Sequence, residues 1–169
     1  NHPGPAGRAV IHQATTDPEL AAHWLTDPSH KLKLSWKEAS SFLSFISKTD
    51  DYAKRLLKPT LLIQGLDDHL VSPKAVAKLF RNIHSDSKTF LIDGQGEHLV
   101  LEEGKSSAPL TTKLIDWMKT DSTSNSGRAV FEVVNDQALS PKQKRRLSTL
   151  RNLAKEKATA DVHVFTKSN

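Results

Sequence analysis

Short apolar runs alternate with stretches of helical periodicity along the middle of the chain. Thr60–Gln64 and Lys88–Ile92 each contain three consecutive large apolar residues between polar neighbours. Such runs, when turn residues follow them directly, are typical of buried strands. Apolar residues recur at the three- and four-residue spacing of a helix from Ser72-Pro73 to Ile83, and again from Leu110 to Met118.

The order of these elements predicts their arrangement. A strand, a helix, a strand and a helix with short connections predict parallel strands joined by right-handed crossovers. In open parallel sheets, ligands bind outside the carboxyl ends of the strands. We therefore expect the chemistry of this chain in the two loops that follow Gln64 and Ile92.

The first 58 residues show helical patterns and no strand pattern. Residues 1–30 are expected to be irregular apart from one short helix, which starts at Asp17-Pro18 and stops at Asp27-Pro28. Ser35-x-x-Glu38 forms a capping box, which predicts the start of a longer helix.

That longer helix carries an apolar face, formed by Phe42, Leu43, Phe45 and Ile46. Two interpretations stay open: the face lines an acyl-chain pocket, as part of a cap would, or it packs against the sheet. A shorter helix is predicted over Tyr52–Leu57 and ends before Pro59, because the residue before a proline leaves the helical region.

The composition changes after Lys119. Residues 121–127 form a Ser/Thr/Asn/Gly-rich linker. A strand is predicted over Ala129–Val134, a basic helix from Ser140-Pro141, and a second short strand over Ala160–Phe165. We expect this strand–helix–strand element to be appended to the preceding units.

The basic charge is concentrated in this last part. The net charge is +5; residues 1–120 hold 15 basic and 14 acidic residues, whereas residues 121–169 hold nine and five. The pattern over 141–157 favours a docked helix with a solvated basic face. Weak contact of that face with an anionic membrane surface stays open. Nucleic-acid binding is not favoured, because no recognised motif or interleaved aromatic residue accompanies the charge.

The composition excludes several kinds of chemistry. The chain has no cysteine, which excludes disulfides, thiolate nucleophiles and Cys-ligated metals. Its seven glycines form neither a phosphate-binding loop, nor a dinucleotide fingerprint, nor a Gly-x-Ser-x-Gly nucleophile elbow. His12, His23 and His30 lack the compact spacing of metal ligands, so we expect no metal and no cofactor.

Ionisable residues follow both predicted strands. The first loop is Gln64-Gly65-Leu66-Asp67-Asp68-His69, and the second is Asp93-Gly94-Gln95-Gly96-Glu97-His98. An acid after one strand and a histidine after the next match two members of a nucleophile–acid–base triad in the chain order of one hydrolase fold. His69 is expected at the surface, and Glu97 either orients its loop or is solvated.

With these loops, Pro59–Met118 resembles the last two strand–helix units of an α/β-hydrolase. The upstream Asp-Pro pairs and Lys31–Ile46 resemble the cap region of the monoacylglycerol lipase and lysophospholipase-like branch, which is grouped with serine aminopeptidase-type hydrolases. The resemblance implies an α/β fold, here the C-terminal part of a parallel-sheet α/β-hydrolase with part of the cap. Residues 1–58 would be the cap-like region, 59–120 the last two units, and 121–169 a linker and basic C-terminal extension.

The resemblance also implies roles. Asp68 takes the position of the triad acid, with Asp67 as the alternative, and His98 takes that of the general base. The implied parent is a serine hydrolase that cleaves carboxylic esters through a Ser–Asp–His catalytic triad, as an esterase, lipase or lysophospholipase does, on a small lipid such as a monoacylglycerol or lysophospholipid. Its Ser would lie upstream of Asn1, so the 169 residues alone are expected to be inactive. A cytoplasmic location is expected.

Two other functions stay open. One is an amide or peptide hydrolase of the same superfamily, since the fold supports many chemistries. The other is a non-catalytic α/β-hydrolase-like binding module that acts through its basic tail.

Overall fold

The computed structural model describes residues 5–27, 35–102, 107–120 and 128–155. Within these ranges the chain forms seven helices and three strands. In chain order they are α1 (Pro5–Ala14), α2 (Pro18–Thr26), α3 (Trp36–Ser47), α4 (Thr49–Lys54), β1 (Thr60–Gly65), α5 (Pro73–Asn82), β2 (Ser87–Asp93), α6 (Ala108–Lys119), β3 (Arg128–Val134) and α7 (Pro141–Lys155).

The three strands form one parallel sheet in the order β1-β2-β3. The register pairs Leu62 with Phe90, and Phe90 with Phe131. Gly65 pairs with Asp93 at the carboxyl end of the sheet. The predicted α/β class and parallel sheet are therefore confirmed.

Helices cover both faces of the sheet, and they bury alternate side chains of β2 on opposite sides. Phe90 and Ile92 lie in a core with residues of α5 and α7, namely Val76, Phe80, Leu150 and Ala154. Leu91 lies in a second core with Leu110 of α6 and Val134 of β3. The result is a three-layer arrangement with β2 at its centre.

The amino-terminal part contains one more helix than the sequence predicts. The helix with Asp17 as N-cap is confirmed as α2, since the Asp17 carboxylate accepts hydrogen bonds from the backbone N–H groups of Glu19 and Leu20. The expectation that the rest of 1–30 is irregular is wrong, because α1 precedes it. Pro5 stands at the first helical position, where a proline is tolerated, and Ile11 and Ala14 are buried.

The capping box at Ser35 and Glu38 is confirmed at the start of α3. The next helix, α4, lies three residues earlier than predicted and ends before Arg55. No residue of α3 is buried, and its four predicted face residues are each about half exposed or more. The described structure therefore does not pack this face against the sheet.

The carboxyl-terminal part is built into the sheet. Residues 128–155, which the sequence assigns to an appended element, supply β3 as a third parallel strand and α7 as a helix against α5. The apolar side of α7 lies in the core, which confirms the docked helix. The predicted linker over 121–127 and strand over Ala160–Phe165 lie outside the described residues. No helix among the described residues is long and apolar enough to cross a membrane.

Candidate active site

The two loops at the carboxyl end of the sheet bring an acid and an imidazole into contact. The distance between His98 Nδ1 and Asp68 Oδ2 is 3.0 Å. Asp68 is 3% exposed, whereas 35% of the His98 side chain is accessible to solvent. A buried carboxylate thus contacts Nδ1 of an imidazole that is partly exposed to solvent.

Backbone contacts between the two loops set this geometry. The N–H of Leu66 donates to the carbonyl of Asp93, and that of Asp67 donates to the carbonyl of Gly96, both at 2.8 Å. The loops approach so closely that a Cβ on Gly65 would overlap with the carbonyl oxygens of Gly96 and Glu97. Glycine at position 65 is therefore a condition for this contact.

Asp68 is held by four hydrogen bonds. Its Oδ1 accepts from the backbone N–H groups of Leu70 and Val71 at 2.7 and 3.1 Å. Its Oδ2 accepts from Gln64 Nε2 at 2.6 Å and faces His98 Nδ1. Burial by itself raises the pKa of the carboxyl, but the hydrogen bonds from His98, Gln64 and the two N–H groups outweigh it and hold the pKa below its ordinary value. Asp68 is therefore ionised at neutral pH.

The neighbouring Asp67, the alternative for the acid, points elsewhere. Its Oδ2 accepts a hydrogen bond from Gln143 Nε2 of α7 at 2.7 Å. The structure therefore brings Asp68, and not Asp67, to the imidazole. His69, the next residue along, is exposed, as predicted.

A second buried carboxylate anchors the start of the loop from Asp93 to His98, the histidine loop. Asp93 is 2% exposed and accepts from Ser107 Oγ at 2.8 Å, from Asn135 Nδ2 at 3.2 Å and from the N–H of Gln95 at 3.1 Å. Ser107 is the N-cap of α6, and Asn135 follows β3 in the left-handed conformation, with φ 54°. The N-cap of α6 and the residue after the neighbouring strand β3 thus fix this loop.

Glu97, next to His98, connects the site to the amino-terminal helices. Its carboxylate accepts hydrogen bonds from the backbone N–H and the hydroxyl of Thr16, which lies between α1 and α2. Of the two interpretations of Glu97, the structure favours the one in which its carboxylate orients the loop, through hydrogen bonds to the segment between α1 and α2.

The prediction that the chain has no metal site rests on the spacing of three histidines. His12 lies in α1 and His23 in α2, and His30 falls outside the described residues. Among the residues that the structure describes, no group of three or more His, Asp or Glu side chains is arranged to hold a metal ion.

Several residues of the site are not predicted from sequence. Gln64 is the one polar side chain at the end of an apolar strand, which is a usable signal. Ser140-x-x-Gln143 has the capping-box pattern, and Gln143 does bond back to the N–H of Ser140 at 2.7 Å. That pattern does not reveal that the same amide reaches Asp67.

Chemically, the pair can accept and return a proton. An ionised Asp68 at Nδ1 favours the tautomer that leaves the lone pair of Nε2 free, and it stabilises the imidazolium that forms after Nε2 takes up a proton. An acid after one parallel strand and a histidine after the next, in a sheet with helices on both faces, correspond to the arrangement found in α/β-hydrolases.

The comparison with protein families agrees with this geometry. The model of the family described as serine aminopeptidase, S33 (Hydrolase_4) matches residues 5–105. This is more than half of the chain, and the protein belongs to this hydrolase family. No curated protein and no solved structure gives a significant match.

Proposed function

We propose that this chain supplies the acid and the general base of a serine hydrolase. Asp68 orients and stabilises His98, and His98 takes the proton of a serine hydroxyl and returns it to the leaving group. The observation that carries the proposal is the 3.0 Å contact between a buried carboxylate and a partly exposed imidazole. Support comes from the order of the two residues along the chain, which is that of α/β-hydrolases.

The nucleophile of the proposal comes from outside the 169 residues. The sequence contains no Gly-x-Ser-x-Gly elbow, and in this fold the serine precedes the acid and the histidine along the chain. We therefore place the serine and its oxyanion hole upstream of Asn1 in a longer protein.

The proposed substrate is a carboxylic ester of a small lipid, of the monoacylglycerol or lysophospholipid kind. The resemblance of the upstream Asp-Pro pairs and Lys31–Ile46 to that branch motivates this choice, and the exposed apolar face of α3 is suited to an acyl chain. The name of the matching family, serine aminopeptidase, favours a second candidate, the hydrolysis of an amide bond at a peptide N-terminus.

The test begins with the reading frame upstream of the codon for Asn1. A frame that continues into a Gly-x-Ser-x-Gly elbow supports the proposal. The encoded protein is then assayed on monoacylglycerols, lysophospholipids and aminoacyl amides. Hydrolysis that is lost in Asp68→Asn and His98→Ala, with folding intact, is expected.

His69→Ala serves as the matched control, since His69 is adjacent to the site but exposed. Full activity in both site variants would overturn the catalytic roles and favour a non-catalytic binding module. Histidine-dependent ester turnover by the 169 residues alone would overturn the upstream placement of the serine. Turnover of amides but not esters would favour the peptidase.

A further inference from the structure

The first turns of α7 contact both loops of the acid–base pair. Gln143, at the start of the helix, is 6% exposed. Its Nε2 donates to Asp67 Oδ2 at 2.7 Å and to the carbonyl of Gly94 at 3.2 Å, while its Oε1 accepts from the N–H of Ser140. The buried amide of Gln143 therefore joins the loop from Gln64 to His69 (the acid loop), the histidine loop and the start of α7.

A second side chain of α7 holds the acid itself. Arg146, nearly one helical turn after Gln143, donates from its guanidinium to the backbone carbonyl of Asp68, and it lies 3.4 Å from the carbonyl of Val71. The backbone of Asp68 is thus fixed from α7, while its carboxylate is engaged with His98.

We propose that Gln143 and Arg146 are positioning residues for the Asp68–His98 pair. Both lie beyond residue 105, where the family match ends. The proposal rests on the proposed function, since it explains how the acid and the base of that function are aligned. It gives the basic helix a role inside the protein.

The physical argument is that the hydrogen bond between Asp68 and His98 tolerates only small displacements of either loop. Asp68 and His98 sit on separate loops, and their hydrogen bond weakens steeply when its length or angle departs from the ideal. Functional groups need to be held within about half an ångström of the productive geometry. Backbone contacts join the loops at Leu66 and Asp67, and Gln143 adds a bridge on the side of α7.

The tautomer of His98 reports this alignment without any turnover. A carboxylate that accepts from Nδ1 favours the Nδ1–H form of the neutral ring, and displacement of the carboxylate releases that preference. Long-range proton–nitrogen spectra of the 15N-labelled 169-residue protein distinguish the two forms. We expect the ratio of Nδ1–H to Nε2–H at His98 to fall about tenfold in Gln143→Ala and Arg146→Ala, the change that loss of a hydrogen bond to a charged group brings.

A merely structural role of α7 is tested with Leu150→Ala. Leu150 is buried in the core on the same helix and makes no hydrogen bond to either loop in the described structure. We expect it to lower stability at least as much as Gln143→Ala while leaving the His98 tautomer unchanged. An equal change of tautomer in Leu150→Ala would overturn the positioning role.

A reversed hydrogen bond provides the rescue. Gln143→Glu sets a carboxylate against that of Asp67 and is expected to disturb the tautomer. The double variant Asp67→Asn with Gln143→Glu restores a donor and an acceptor between positions 67 and 143 but not the hydrogen bond to the Gly94 carbonyl. It should therefore bring the ratio back toward the wild-type value, above that of Gln143→Glu alone.

An unchanged ratio in folded Gln143→Ala and Arg146→Ala refutes the proposal. If Gln143→Ala does not fold, Arg146→Ala decides, because the half-buried Arg146 leaves no core cavity. The proposed function fails separately, when Asp68→Asn and His98→Ala retain hydrolysis in the longer protein.

Discussion

Replacing Asp68 with Asn removes a charge but keeps the shape of the side chain, so it isolates the electrostatic part of the site. The asparagine keeps the two hydrogen bonds that Oδ1 accepts from the backbone N–H groups of Leu70 and Val71. Its amide nitrogen takes the place of Oδ2 and meets two donors, Gln64 Nε2 and His98 Nδ1.

The expected cost follows from these contacts. His98 regains a bond by changing its tautomer. Rotating the Gln64 amide restores the other contact only by withdrawing the donor from the carbonyl of Gly65, which it reaches at 3.1 Å. A hydrogen bond to a charged group contributes about 1.5–3 kcal/mol, so we expect the free energy of unfolding to fall by about 2–3 kcal/mol at neutral pH.

The pH dependence separates charge from shape. The folded pKa of Asp68 lies below its ordinary value. The ionised carboxylate therefore contributes stability that is fully present above the unfolded pKa, about 3.9, and is lost as the pH falls through the lower folded pKa. The difference between wild type and Asp68→Asn should thus be complete at neutral pH and shrink in acid.

Urea unfolding followed by circular dichroism, at neutral pH and near the folded pKa, measures this difference. Asp86→Asn is the control, because Asp86 is exposed and its removal should change stability by less than about 0.5 kcal/mol. Equal stability of wild type and Asp68→Asn at neutral pH, or a difference that stays constant into acid, would refute the reasoning.

Two further substitutions test the frame of the site. Gly65→Ala places a Cβ against the carbonyl oxygens of Gly96 and Glu97. We expect the free energy of unfolding to fall by about 3 kcal/mol and Tm by about 6–12 °C, measured by thermal denaturation. A melting temperature near that of wild type would contradict the close approach of the loops. Phe90→Ala empties a fully buried position whose ring centroid lies 5.2 Å from that of Phe80 and 5.3 Å from that of Phe131. We expect the free energy of unfolding in urea to fall by about 3–5 kcal/mol. Phe45→Ala, at an exposed position, is the control and should lower it by less than about 1 kcal/mol. Similar losses in the two phenylalanine variants would mean that Phe90 does not lie in the core.

The elements near the site could be predicted because local signals agree with the tertiary structure. The strands around Leu62 and Phe90 are continuous apolar runs, and Ser72-Pro73 and Ser35-x-x-Glu38 are unambiguous helix starts. The two loops meet because carboxyl ends of neighbouring parallel strands lie together. The contact between Asp68 and His98 follows from that arrangement of the strand ends.

The rest depended on contacts that are distant in sequence. No local pattern shows that β3 pairs with β2, or that Gln143 of α7 bonds to Asp67, which lies 76 residues earlier in the chain. The helix α1 is not evident from the sequence because its first residues, rich in proline and glycine, have low intrinsic helix propensity, whereas Ile11 and Ala14 gain burial only in the folded chain.

In the sheet that the structure describes, β3 lies at one edge and α7 packs on the face that includes Phe131, which has a consequence for how the protein opens. An edge strand and its helix can detach as a cooperative unit at a lower free energy than the global transition, while the central strand β2 exchanges its amide protons last. Such partial opening withdraws Gln143 and Asn135 from the two loops while β1 and β2 remain paired. Native-state hydrogen exchange is therefore expected to show the loops of Asp68 and His98 losing protection together with α7, so that the acid–base pair follows the stability of the last 28 described residues and not that of the whole fold.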